Sequence, residues 1–179
     1  MKAPKITLER IEQEIDLEKL FGVDLSDNEA IKSAVGQVLI DRMLARVEGG
    51  VGYGGQKLKS PYSKAYSESL EFKAAGKSRT KVNMTLTGDM LASVNVKSDG
   101  SKVVLYVDES EVPKAYNHLT GDTVPKRNWF GFTRDELKSL RKEFAPQIRR
   151  AKELDDSGGS DRLMNDLAQE LLDEISDEE

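Results

Sequence analysis

Two reactive side chains are nearly missing from the sequence, which has no cysteine and one histidine, His118, in 179 residues. The absence of cysteine excludes disulfides, thiol nucleophiles and cysteine-ligated zinc, and a single histidine excludes any site that needs two. No apolar stretch approaches the roughly 18 residues of a membrane-spanning helix, and the N-terminus lacks the apolar core of a signal peptide. Composition therefore predicts a soluble cytoplasmic protein with no membrane partner, and it leaves the function open.

Charge is unevenly distributed along the chain, although the net charge is only −5. The two ends are acidic, with −4 in residues 1–30 and −7 in residues 160–179, whereas residues 53–81 carry +5 and residues 126–152 carry +6. Three interpretations remain open: a solvated surface, opposite patches that bring copies of the chain together head to tail, or a basic surface that faces DNA.

The N-terminal segment has the spacing of a short amphipathic helix. Leu8, Ile11 and Ile15 fall on one face of a helix over residues 7–20. Because its charge is high and its apolar stripe is thin, residues 1–25 are predicted to form a helical arm appended to the domain.

Two capping boxes mark the starts of the main helices. Ser26 with Glu29 predicts the start of the longest helix, and Thr133 with Glu136 predicts the start of another. Pro146 lies inside the second helix and is expected to kink or split it.

The middle of the chain carries the signals of a β-hairpin. Two alternating runs, Val94–Lys97 and Val103–Val107, flank an Asp-Gly turn at Gly100. Helices thus precede and follow the strands, which is the order of an α+β fold. We predict a small antiparallel curved sheet packed on a long helix.

Beyond the N-terminal arm, three further parts are predicted. Residues 26–153 form the core domain, residues 154–159 a linker and residues 160–179 an acidic C-terminal helix. The apolar stripe of that last helix consists of Leu163, Leu167, Leu171 and Ile175.

Catalytic interpretations find little support in the sequence. Gly76-Lys77-Ser78 ends like a phosphate-binding loop, but Glu71 occupies the position of the required first glycine. No serine lies in a nucleophile elbow that would pair with His118. We therefore expect no enzyme activity, no cofactor and no metal site. The glycine-rich run from residue 49 to residue 59 is predicted to be a flexible loop.

Three aromatic residues occur within four positions in Trp129-Phe130-Gly131-Phe132. Such a cluster is typical of a core, and Phe132 directly before the Thr133 cap fits a hydrophobic staple. Aromatic side chains are also favoured at the centres of interfaces, so the cluster is at the same time a candidate anchor for a neighbouring subunit.

Two segments resemble motifs of a known family. Leu86, Gly88 and Leu91 lie in a turn similar to one that precedes a hairpin in small phage morphogenesis proteins. Tyr116 and His118 lie in a stretch similar to that family's Tyr-x-x-x-His/Asn-x-x-Gly motif.

Two further stretches strengthen the resemblance. Tyr62 and Tyr66, after Pro61, are similar to the family's stretch that follows its long helix. A proline-arginine-aromatic-glycine segment then leads into a helix, and its members here are Pro125, Arg127, Trp129, Phe130 and Gly131. Over roughly residues 27–150 the chain resembles the tail-completion and head–tail joining proteins of tailed bacteriophages, also called virion morphogenesis proteins.

The resemblance implies a structural role without catalysis. It implies an α+β domain that forms a ring, commonly of six copies, at the neck or the tail end of the virion after assembly in the host cytoplasm. Neck or connector proteins and tail tube or terminator proteins would be its partners. The motif residues are then candidates for the contacts between subunits.

Two alternatives stay open beside head–tail joining. The first is a tail terminator ring that limits the length of the tail tube. The second is a nucleic-acid-binding module that uses the basic segments 53–81 and 126–152. In a ring around genomic DNA, a loop with Lys57, Lys59 and Lys64 is a candidate for non-specific contact with DNA in the lumen.

Overall fold

The computed structural model describes residues 2–58, 62–76, 82 and 89–156. Its strands and helices, in chain order, are β1 (Lys5–Ile6), β2 (Ile11–Asp16), α1 (Leu17–Phe21), α2 (Glu29–Glu48), α3 (Lys64–Glu68), α4 (Leu70–Ala74), α5 (Asp89–Ala92), β3 (Val94–Asp99), β4 (Lys102–Val107), α6 (Val112–Thr120) and α7 (Arg134–Asp156). This is the α+β fold with a small sheet and a long helix that the sequence predicts.

The sheet has four antiparallel strands in the order β1-β2-β4-β3. Val94–Asp99 and Lys102–Val107 form the predicted hairpin, with Gly100 in its turn. Strand β2 lies beside β4, with Ile15 opposite Val103. One face of the sheet packs on α2, and the buried side chains of this face and of the surrounding helices form one hydrophobic cluster.

The prediction of an N-terminal helical arm is wrong. Residues 11–16 are a strand inside the sheet, and helix is confined to the five residues of α1. Ile11, Gln13 and Ile15 alternate along β2 and are each at most 2% exposed. The period of the buried side chains is therefore two, which is the period of a strand. The N-terminus belongs to the domain and is not appended to it.

Helix α2 lies close to the sheet because residue 36 is glycine. A Cβ atom at Gly36 would come within 2.6 Å of Cγ2 of Val96 on β3. The helix begins at a different cap from the predicted one: the side chain of Asn28, rather than that of Ser26, accepts a hydrogen bond from the Ile31 amide at 2.9 Å. Helix α2 ends at Glu48, before Gly49.

The groups that the predicted Ser26–Glu29 capping box would join have other partners. The Ser26 amide donates to Asp24 Oδ1 at 2.9 Å, and the Glu29 carboxylate accepts from a buried lysine, Lys32. The ammonium group of Lys32, which is 1% exposed, donates to the Ser26 carbonyl at 2.6 Å, to Glu29 Oε1 at 2.5 Å and to the Gly100 carbonyl at 3.0 Å. Lys32 thus joins the start of α2 to the turn of the hairpin.

Helix α7 begins with the second predicted capping box, which is confirmed. The Thr133 amide donates to Glu136 Oε2 at 2.6 Å, and the Glu136 amide donates to Thr133 Oγ1 at 3.2 Å. The helix continues through Pro146 to Asp156 and is not split. The predicted start of a linker at residue 154 is therefore wrong, since α7 extends to residue 156. The predicted acidic helix over residues 160–179 lies outside the described residues.

Among the helices described above, none is long and apolar enough to cross a membrane.

Candidate functional site

The aromatic loop, Trp129–Phe132, lies inside the core. Trp129 and Phe130 are both 0% exposed, and their rings meet edge to face with centroids 5.6 Å apart. Phe132 is buried in the same hydrophobic cluster as Leu137, as the predicted staple requires. Because Trp129 and Phe130 expose no surface, the prediction that they anchor a neighbouring subunit is wrong for the fold described here.

Arg46 of α2 holds the aromatic loop from one side. Its Nη2 donates to the carbonyl oxygens of Trp129 at 3.0 Å and Gly131 at 2.9 Å, and its Nη1 forms an ion pair with Glu136 of α7. The guanidinium carbon lies 5.4 Å from the ring centroid of Phe132. Arg46 thus joins α2, the loop and the first turn of α7.

Gln13 of β2 holds the loop from the other side. Its Nε2 donates to the Phe132 carbonyl at 2.8 Å, and its Oε1 accepts from the Phe132 amide at 2.7 Å. Gly131 has a φ of +89°, and a Cβ there would lie 2.4 Å from Cγ of Pro4. Only glycine fits this position without strain.

A second group, the aromatic trio, consists of Tyr62 just before α3, Tyr66 on α3 and Phe72 on α4. The three rings meet edge to face with centroids 5.1 to 5.3 Å apart. Ser63 and Ser69 cap the two short helices through the amides that lie three residues further on. Tyr62 is the member of the trio that packs against the main core.

Arg127 connects the aromatic trio to the rest of the domain. Its guanidinium carbon lies 5.4 Å from the Tyr62 ring centroid, and its amide donates to the His118 carbonyl at 2.6 Å. Its Nη1 lies 3.2 Å from Nδ1 of His118. Since a guanidinium only donates, Nδ1 accepts this hydrogen bond and the neutral ring carries its proton on Nε2.

Burial changes the acidity of two groups in this contact. Burial lowers the pKa of the Arg127 guanidinium, and the nearby phenols of Tyr62 and Tyr66 oppose that change. Burial also raises the pKa of the Tyr66 phenol. Residues at positions 62, 66 and 118 therefore lie around one buried cation, Arg127.

The other predicted motif residues lie in different environments. Leu91 is buried in α5 at 6% exposure, and Tyr116 is half-buried on α6 against the core. Pro125 is exposed. Leu86 and Gly88 lie outside the described residues. Some of the motif residues thus form the contact around Arg127, whereas Leu91, Tyr116 and Pro125 are not part of it.

The glycine-rich loop after α2, which the sequence predicts to be flexible, contains hydrogen bonds within itself. The Gly52 amide donates to the Gln56 carbonyl at 2.7 Å, and the Leu58 amide donates to the Gly50 carbonyl at 2.8 Å. A Cβ at Gly52 would lie 2.3 Å from the Asn128 carbonyl oxygen. Glycine here permits the close approach of two backbones.

Of the three lysines predicted to face DNA, Lys57 and Lys64 are exposed. Lys59 lies outside the described residues.

Helix α7 presents a row of cations to solvent, which we call the α7 basic face: Arg134, Lys138, Arg141, Lys142 and Arg149. Their spacing of three, four and seven residues places them on one side of the helix. Lys138 pairs with Asp135 at 3.0 Å. Within the described ranges the other four form no ion pair, so most of this charge is not neutralised.

A groove of about 190 Å³ separates α2 from α7. Two ion pairs, Arg42 with Glu143 and Arg46 with Glu136, neutralise its lining. Within residues 2–58, 62–76, 82 and 89–156, no group of three or more His, Asp or Glu side chains is placed to hold a metal ion.

Sequence reasoning missed the two side chains that hold the aromatic loop, Gln13 and Arg46. For each of these residues the sequence contains a weak indication of its role. Gln13 is a polar residue between two isoleucines of an alternating run, and Arg46 lies within the apolar stripe of α2.

No protein-family model, no curated protein and no solved structure matches the chain.

Proposed function

We propose that the protein is a structural virion protein of a tailed bacteriophage. In this proposal it forms a homo-oligomeric ring, of six copies, at the head–tail junction or the head-proximal end of the tail. It acts in tail completion and head–tail joining and has no catalytic role. The α+β fold, with a small sheet packed on a long helix, agrees with the architecture that the family resemblance implies.

The meeting of the motif segments around Arg127 is the observation that carries the proposal. Tyr62, His118 and Arg127 belong to three of the segments on which the resemblance rests, and Arg127 contacts both of the others in the fold. Motifs that form one structural unit support a shared architecture better than motifs scattered over the surface. The buried motif residues then shape the subunit, and the contacts between copies use other side chains.

The proposed partners are further copies of the chain, neck or connector proteins, and tail tube or terminator proteins. Ring formation requires two different surfaces on each copy, one for each neighbour. The acidic ends and the basic segments of the sequence supply surfaces of opposite charge.

Electron microscopy of particles made without this gene product tests the proposal. Separate filled heads and tails are expected if the protein joins them. Tails of abnormal length would favour the tail terminator alternative. Intact, infectious particles would contradict a virion role.

Lysine variants test a contact of the ring with genomic DNA. The variant Lys57→Gln, Lys59→Gln, Lys64→Gln removes three cations from the segment predicted to face the lumen. We expect weaker retention of packaged DNA, because non-specific binding depends on phosphate neutralisation. The control is Lys114→Gln on α6, and unchanged DNA retention and infectivity in the triple variant would contradict the contact.

A nucleic-acid-binding module is the second candidate, and the α7 basic face is the observation that favours it. Retention of the chain on immobilised duplex DNA, with a steep dependence on salt, would support this function. Neutralising Arg141 or Arg149 should then reduce the salt slope by about one per residue. No retention at moderate salt would contradict it.

A further inference from the structure

The α7 basic face carries more positive charge than its surroundings neutralise. Its five cations occupy residues 134–149, which span about 22 Å of helix. The first four cations, from Arg134 to Lys142, follow one another within four residues and lie about 5 to 6 Å apart, which is less than the Debye length of about 8 Å at physiological salt. Arg149 lies about 10 Å further along the helix. The charges therefore act together and attract a chain of anions more strongly than a single anion.

The sequence that follows α7 is such a chain of anions. Residues 160–179 hold eight acidic residues and one basic residue, a net charge of −7. This segment has 20 residues, compared with the 23 residues of α7. Opposite charges on two consecutive segments of similar length are the basis of the inference.

Geometry allows the acidic segment to reach the α7 basic face of its own chain. Helix α7 ends at Asp156, and four residue steps lead to Ser160. These steps span at most about 14 Å when extended, which exceeds the 8 to 10 Å between packed elements. Gly158 and Gly159 lie in this connection and permit a tight reversal.

We propose that the α7 basic face is the docking site for the acidic segment 160–179 of the same chain. In this proposal the segment runs back along α7, and its acidic side chains pair with the cations of the α7 basic face. A short tether gives the segment a local concentration in the millimolar range, which favours its own chain over a second copy. The docked segment excludes other polyanions from this face. The inference does not depend on the virion role.

Fluorescence energy transfer in the full-length protein tests the docking directly. Because the chain has no cysteine, Ser139→Cys with Ser176→Cys provides the only two labelling sites. Running back along α7 brings Ser176 level with the exposed Ser139. We expect efficient transfer at about 50 mM salt and its loss at about 1 M salt, where the Debye length is about 3 Å.

Two variants matched in charge separate a specific site from general attraction. Arg141→Gln, Lys142→Gln, Arg149→Gln removes three cations of the α7 basic face, whereas Lys57→Gln, Lys64→Gln, Lys97→Gln removes three exposed cations elsewhere. Energy transfer should fall in the first variant and stay in the second. Equal transfer in both variants would overturn the proposal, and circular dichroism of each confirms that it is folded.

Mixing singly labelled chains shows whether the acidic segment on the α7 basic face comes from the same chain or from a second copy. Transfer between Ser139-labelled and Ser176-labelled chains would show that a second copy supplies the acidic segment, which overturns docking within one chain. If a DNA duplex binds this face in the wild-type chain and no intramolecular transfer is seen, DNA is the occupant and the proposal is also overturned.

Discussion

Two aromatic groups in this molecule are each held by an arginine, yet they are built in opposite ways. The aromatic loop, Trp129–Phe132, lies in the main core, and Arg46 donates hydrogen bonds to two of its backbone carbonyl oxygens. The aromatic trio forms its own small cluster on α3 and α4, and Arg127 contacts it through the face of the Tyr62 ring.

The difference lies in what each arginine binds. A hydrogen bond from a charged group contributes about 1.5 to 3 kcal/mol, whereas a cation–π contact contributes about 0.5 to 2 kcal/mol and tolerates sliding of the ring. The aromatic loop should therefore unfold only with the whole domain, and the aromatic trio should open by itself. Four predictions, from the largest expected effect to the smallest, test this comparison.

Trp129→Ala should destabilise the whole domain by about 3 to 5 kcal/mol, because it empties a fully buried site in the core. Urea unfolding followed by circular dichroism measures the loss. Trp129→Phe is the control and should cost less, because it also removes a buried indole N–H that has no hydrogen-bond partner among the described residues. A loss under about 1 kcal/mol for the alanine variant would contradict the assignment of the loop to the core.

Arg46→Leu should cost about 2 to 3 kcal/mol, since it leaves Glu136 and two loop carbonyls without their donor. Arg42→Leu is the matched control on the same helix. Its ion pair with Glu143 is about one third exposed, so the expected loss is about 0 to 1 kcal/mol. Equal losses in the two variants would show that Arg46 does not hold the loop in a special way.

Phe72→Ala should open the aromatic trio and leave the main core folded. Hydrogen exchange of amides in α3 and α4, such as that of Ser67, should accelerate strongly. The urea midpoint reported by the fluorescence of Trp129, the single tryptophan, should move much less than it does in Arg46→Leu. If both probes report the same change in stability, the aromatic trio unfolds together with the main core, which would contradict the prediction.

The smallest expected effect is a loss of folding stability at alkaline pH, and it comes from the Tyr66 phenol. Its pKa is raised by burial, so the folded state favours the neutral phenol. The stability from this group is present below the ordinary tyrosine pKa of about 10 and is lost as the pH rises through the raised value. Absorbance of the phenolate should show one late titration step, absent in Tyr66→Phe. Phe72→Ala should return that step to the ordinary range, and an unmoved step would contradict burial as its cause.

Local signals predicted much of the fold. The Thr133–Glu136 capping box depends on two side chains three residues apart, and the hairpin depends on one Asp-Gly turn, so neither requires knowledge of the rest of the chain. Both are confirmed.

The errors occur where a distant partner decides the outcome. Ile11 and Ile15 fit a helix and a strand equally well, and Gln13 between them is buried because it bonds to Phe132, 119 residues away. The Ser26–Glu29 capping box does not form, because the Ser26 amide donates to Asp24 and the Glu29 carboxylate accepts from Lys32, whose ammonium also reaches the Gly100 carbonyl. Phe132 and Gly100 both lie outside a local window of sequence.

The candidate site was likewise predicted only in part: local motifs indicated its residues, and the packing of distant segments decided which of them meet. The motifs identified Arg127 and Tyr62, but their meeting with His118 depends on the packing of α6. The aromatic loop was open to two interpretations, core or subunit anchor, and the burial of Trp129 decides for the core.

The position of β2 in the sheet has a consequence for synthesis of the protein. Ile15 pairs with Val103, 88 residues later, whereas β3 and β4 pair across a tight turn. At about 5 to 20 residues per second, a ribosome needs about 4 to 18 s to make the intervening chain. During this time β2 can pair only with the two residues of β1, and its longer neighbour β4 is missing. The first segment to leave the ribosome is thus among the last to be placed, and a nascent chain held at this stage would be the form most exposed to chaperones and proteases.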